Sequence, residues 1–171
     1  MFKYTGNIEK IKDAVEMANY KTLCADIVED VKDSVDYDMS NVNTEYLSAE
    51  ILMRFDADIM NVEIYYPRYR YSSAMGYYSK SKPNTIHING YKINSIHIYE
   101  LVSLLWHEFC HYVDYKLPDG YYANHGSNSS KGKAYTFQYS VNRYVYSYFD
   151  YKKETNTYYI PWYKKVLRWF K

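Results

Sequence analysis

Cysteine is scarce, with 2 in 171 residues, at Cys24 and Cys110. Two thiols so far apart exclude a disulfide framework and read as free and reduced. Pro is 4 and Gly is 6, too few for a disordered or collagen-like chain. Long apolar runs are lacking, since no stretch approaches the roughly 18 uninterrupted apolar residues of a membrane span. The opening Met1-Phe2-Lys3-Tyr4-Thr5-Gly6-Asn7 lacks the apolar run of a secretory signal. The expectation is a cytoplasmic protein (host cytoplasm if the source is viral) with no membrane partner. Net charge is lacking too. Lys+Arg is 21 and Asp+Glu is 20, which leaves +1 and removes the simplest argument for nucleic acid, a strongly basic chain.

What is present is apolar and aromatic. Hydrophobic residues make up 47%, enough for a core in one domain of 20.6 kDa. Tyrosine reaches 25 of 171. Tyr, Lys, Asn and Ile share AT-rich codons, so an AT-rich viral or phage genome accounts for the excess more simply than base stacking does. Charge is unevenly divided. Residues 1–60 hold 6 Lys/Arg and 13 Asp/Glu, a balance of −7, whereas residues 61–171 hold 15 and 7, a balance of +8. Acidic N-terminal helices lying on a basic body would produce that division, and so would two ordinary solvated faces.

Periodicity maps the elements. Ile8, Ile11, Val15 and Ala18, continued by Leu23, Ile27, Val31 and Val35, predict helix over residues 7–37, with a possible break at 19–22. Residues 38–43 are capping residues of a linker. A second helix is expected from Thr44 to about Phe55, and Asn61 to Tyr66 reads as a strand ending at Pro67. Tyr69 to Ser79 reads as a strand bent at Gly76, residues 80–84 as a turn, and Thr85 to Asn89 as a short strand. Helical period returns from about Ile96 to Tyr115, where Ile98, Leu101, Val102, Leu105, Phe109 and Tyr112 form one stripe. Pro118-Asp119-Gly120 ends that helix, a polar loop follows, and a last helix is expected over about 131–151.

The chemistry lies in His107-Glu108-Phe109-Cys110-His111, an H-E-x-x-H string. Histidines at i and i+4 share one helix face, so both imidazoles can reach one Zn²⁺. At 100° per residue both fall off the apolar stripe, which turns them toward a cleft. Glu108 is placed to act as general base on a water that the metal acidifies. Such strings also occur by chance, but here the string is mid-helix, follows Leu104-Leu105-Trp106 and is preceded by a strand.

A third ligand is needed. The extended pattern H-E-x-x-H-x-x-G-x-x-H fails, because Asp114 and Leu117 occupy its Gly and last His positions. His125, in the loop 14 residues past His111, is the leading candidate. Glu154, Asp114, Asp119 and Asp150 are the alternatives, and Asp114 can instead hold a histidine tautomer. Tyr121 and Tyr122 lie in the same loop, although among so many tyrosines position alone does not identify a transition-state donor.

These motifs resemble the SprT-like (Spartan-type) zinc metallopeptidases, H-E-x-x-H zincins. The similarity is carried by Ala74 to Tyr78, Thr85 to Asn89, Leu104 to His111 and His125-Gly126, and covers roughly residues 44–150. Lys131-Gly132-Lys133-Ala134-Tyr135 is itself similar to the family's H-G-K-x-F with Lys131 in the histidine position, and no cysteine follows Cys110 to build the zinc ribbon of some relatives. The resemblance implies an α+β fold, a small zincin-like domain with a short, mainly antiparallel sheet, an active-site helix and flanking helices. It divides the chain into an acidic helical segment at 1–43, a metallopeptidase domain at 44–151 and a basic aromatic tail at 152–171. It implies a monomeric zinc endopeptidase with His107, His111 and His125 as metal ligands, Glu108 as catalytic base, and a protein or peptide substrate, crosslinked to DNA or bound near it. Residues 131–171 hold 9 Lys/Arg and 2 Asp/Glu among aromatics, a composition that suits single-stranded or structured DNA and equally suits docking on the domain. Two other functions stay open: a zinc peptidase that cleaves a regulatory protein such as a repressor without DNA, and a non-catalytic zinc-binding interaction module.

Overall fold

The computed structural model describes residues 1–20, 44–69 and 72–117, with the backbone alone for 44–48. In chain order the elements are β1 (Phe2–Lys3), α1 (Glu9–Ala18), α2 (Thr44–Ala57), β2 (Met60–Tyr65), β3 (Gly76–Tyr78), β4 (Thr85–Asn89) and α3 (Ile98–Lys116). The class is α+β. Strand β2 alternates as a strand with one covered face must, with Met60 and Val62 buried and Asn61 and Glu63 exposed. Strand β4 is buried at all five positions, as a central strand is. Helix α3 carries a reciprocal cap: the His97 ring accepts the Tyr99 N–H at 3.3 Å, and the Glu100 carboxylate accepts the His97 N–H at 2.8 Å.

The four strands are ordered β1-β2-β4-β3. The sheet is mixed, and the expectation of a mainly antiparallel one is corrected: β1–β2 and β2–β4 are parallel, and only β3–β4 is antiparallel. The reason is the order of insertion. After β2 the chain runs to the far edge, forms β3, turns through residues 79–84 and returns as β4 between β3 and β2. A hairpin must be antiparallel, so β4 reverses the direction of β3, and seated beside β2 it runs parallel to it. Asn84 makes that turn at φ 68°, a left-handed conformation that asparagine tolerates well. Among the described residues of the bent strand expected over 69–79, only Gly76–Tyr78 pairs. A Cβ at Gly76 would lie 2.7 Å from the His87 carbonyl oxygen, so glycine is required for β3 to approach β4.

Helix α3 packs against β3, β4, α1 and α2. Ile86 and Ile88 of β4 are buried beneath it, as are Ile11, Ala14, Val15, Met17 and Ala18 of α1. Phe55 of α2 stacks on Trp106 at 4.9 Å, and the rings of Phe2 and Phe109 meet both edge-on at 5.7–6.1 Å and each other at 5.5 Å. Strand β1 is absent from the sequence reading because two residues carry no period. It is held from the side: the Asn19 amide accepts the Phe2 N–H and donates to the Phe2 carbonyl, both at 2.8 Å, as a neighbouring strand would. Lys10 of α1 donates to the Ile93 and Ile96 carbonyls ahead of α3. Residues 21–43, most of the acidic segment, lie outside the described residues, as do the loop, the last helix and the tail expected beyond 117.

Candidate metal centre

Helix α3 is buried almost all round, because core residues fill both its sheet side and its helix side. Residues 101–110 are buried without interruption, and Tyr112, Val113 and Asp114 follow. His107 is therefore enclosed rather than turned to an open cleft. His111, one turn on, is half-buried and lines a cavity of about 320 Å³ together with Gly76, Tyr77, Tyr78, Lys80, Glu108, Asp114 and Tyr115. The opening lies between the end of α3 and the β3 edge of the sheet.

The i, i+4 spacing has the expected consequence. Nε2 of His107 and Nε2 of His111 lie 3.2 Å apart, with the rings edge to face at 77°. One nitrogen can donate to the other at that distance. It also approximates the separation of two ligands on a tetrahedral zinc, since Zn–N bonds of about 2.0–2.1 Å place neighbouring nitrogens about 3.3–3.4 Å apart. The two imidazoles thus fit a shared metal. Among the described residues no third His, Cys, Asp or Glu joins them in a cluster. His125, Asp119, Asp150, Glu154 and Lys131 lie outside the described residues, as do Tyr121 and Tyr122. Asp114 is buried on the cavity wall beside His111.

Glu108 faces the cavity while remaining 5% exposed. Its Oε2 accepts the backbone N–H of Tyr78 at 2.8 Å, a contact that ties α3 to the edge strand. Burial pushes its pKa up from 4.5 to about 7, against the smaller lowering effect of that hydrogen bond. A carboxyl poised near neutrality takes up and gives back a proton readily.

Tyr78 is the site residue that the sequence did not single out. Its ring meets Tyr112 edge-on at 5.8 Å and Tyr115 at 6.4 Å, and burial raises its phenol above the usual range. Tyr112 is anchored by a 2.7 Å hydrogen bond from its hydroxyl to Asp58 Oδ2. At the rim, the Lys80 ammonium lies 4.9 Å from the centre of the Tyr115 ring. Only the β3–β4 pairing brings residues 77–80 to α3, and a sequence without that register carries no sign of it.

No helix among the described residues is long and apolar enough to cross a membrane. No family model, curated protein or solved structure matches the chain.

Proposed function

We propose that this chain is a zinc-dependent endopeptidase of SprT-like character. One observation carries the reading: two imidazole nitrogens converge to 3.2 Å on the helix turn that also presents a buried carboxyl to a cavity. His107 and His111 hold the metal, and His125 is the third ligand. The metal, when bound, supplies Lewis-acid activation of water and of the substrate carbonyl. Glu108 takes the proton from the attacking water and returns it to the leaving nitrogen. The Tyr78 N–H aims the carboxylate, and the cavity between β3 and α3 receives the substrate. A purely structural zinc site has no use for a buried carboxyl at its edge, which weighs against the interaction-module reading.

The test is Glu108→Gln. An amide keeps the shape and the Tyr78 hydrogen bond but cannot accept the proton. Expected is unchanged zinc content and unchanged circular dichroism, with hydrolysis of denatured casein at least 100-fold slower, in line with the loss of an acid–base catalyst. Equal hydrolysis by both proteins overturns the proposal. Assays with and without single-stranded DNA separate substrates held on DNA from a repressor-type substrate.

A further inference from the structure

The cavity beside Glu108 and His111 carries its charges at two depths. Glu108 and Asp114, on the α3 wall, are buried. Lys80, in the turn after β3, lines the same cavity and is exposed. Among the described residues that line it, Lys80 is the one lysine or arginine. Its ammonium lies 4.9 Å from the centre of the Tyr115 ring, which lines the cavity from α3. The charged end thus reaches across the opening from the strand side to the helix side. Among the described residues no carboxylate pairs with it, whereas Lys82, two residues on, is held by Glu63 at 2.9 Å. An aromatic face holds an exposed ammonium weakly, and a carboxylate brought by a ligand holds it better.

We propose that Lys80 is a specificity-determining residue, which selects peptides with an acidic side chain close to the bond that is cleaved. The inference rests on the peptidase reading above. A cavity of about 320 Å³ admits a short piece of chain, about two extended residues of roughly 3.5 Å each. A peptide bond set against Glu108 therefore has its neighbouring side chains within reach of Lys80. An acidic side chain there gains the ammonium and a basic one meets a like charge, so attraction and repulsion discriminate together. The two wall carboxyls do not cancel this, because both are recessed and Glu108 is engaged by the Tyr78 N–H at 2.8 Å.

The test digests a mixture of peptides of randomised sequence with the full zinc-loaded chain and maps the cleaved bonds by mass spectrometry. Acidic residues within about two positions of the cut should be favoured over basic ones by about tenfold, the product of one exposed attraction and one repulsion. Lys80→Met should erase that preference and Lys80→Glu should invert it. The preference should shrink between about 0.05 M and about 1 M salt, as an exposed pair requires. The zinc-loaded Glu108→Gln protein supplies a reading without turnover: it should bind an acidic peptide more tightly than its lysine counterpart, and Lys80→Glu in that background should reverse the order. The same cleavage profile from wild type and both Lys80 variants overturns the assignment of Lys80 alone. So does a wild type that prefers basic residues, which would give the selecting role to Asp114. A wild type that cleaves no faster than Glu108→Gln overturns the peptidase reading and, with it, Lys80 as a selector of cleaved bonds.

Discussion

Burial and one backbone hydrogen bond pull Glu108 in opposite directions, and burial wins. The consequence in the metal-free protein is a dependence of stability on pH. The folded state holds the Glu108 proton more tightly than the unfolded chain does. That stability is fully present below the unfolded value of 4.5 and is lost as pH rises through about 7. A shift of this size corresponds to a few kcal/mol. Urea unfolding with a chelator, at about pH 5 and about pH 8, should show Glu108→Gln gaining on wild type at the higher pH. A constant difference between the two proteins would contradict the burial argument. His87 acts with the opposite sign. Its ring is stacked on Tyr77 at 4.6 Å, and burial lowers its pKa from 6.5, against a weaker pull from Glu63. Its burial costs stability as pH falls through 6.5, so His87→Gln should flatten the acid side of the curve.

Elements place these residues through a few close contacts. Gly76 is one, since any side chain there meets the His87 carbonyl at 2.7 Å and Leu104 at 3.1 Å. Gly76→Ala should push β3 away from β4 and so loosen the Tyr78 N–H from Glu108. Expected is a loss of peptidase activity larger than the loss of stability, measured on one preparation. Phe55 is another, because it joins α2 to α3 through Trp106 and is 2% exposed. Phe55→Ala should cost about 3–5 kcal/mol in denaturant unfolding, the range for emptying an aromatic core site. Helix α1 buries its apolar face in the same core, as ordinary scaffold does. A chain beginning near Asn41 should therefore lose its circular dichroism signal rather than gain affinity for single-stranded DNA at low salt. A folded truncation that binds DNA more tightly would instead favour acidic N-terminal helices that lie on a basic body and shield it.

Across the whole molecule, legibility followed chain separation. Helix α3 and strand β4 were readable because period is local: Ile86 and Ile88 alternate, and the α3 stripe repeats every three to four residues. The H-E-x-x-H pair was readable because a helix turn alone brings its nitrogens together. The mixed sheet was not, because strand direction depends on where β4 inserts between β2 and β3. Strand β1 was not, because its stability comes from Asn19 and from the aromatic cluster around Trp106. Tyr78 was one tyrosine among 25, and only the β3–β4 register distinguishes it. Nor did the helical wheel foresee that His107 would be enclosed, since a wheel shows angles but not neighbours.

The claim on which the rest depends is that His107 and His111 share a metal. X-ray absorption at the zinc edge, on the full chain loaded with one equivalent of Zn²⁺, addresses it directly. Expected is a first shell of nitrogen and oxygen at about 2.0–2.1 Å, with imidazole outer-shell scattering that falls when His107 or His111 is replaced by alanine. Zinc that does not bind stoichiometrically, or a spectrum that neither substitution alters, would contradict it.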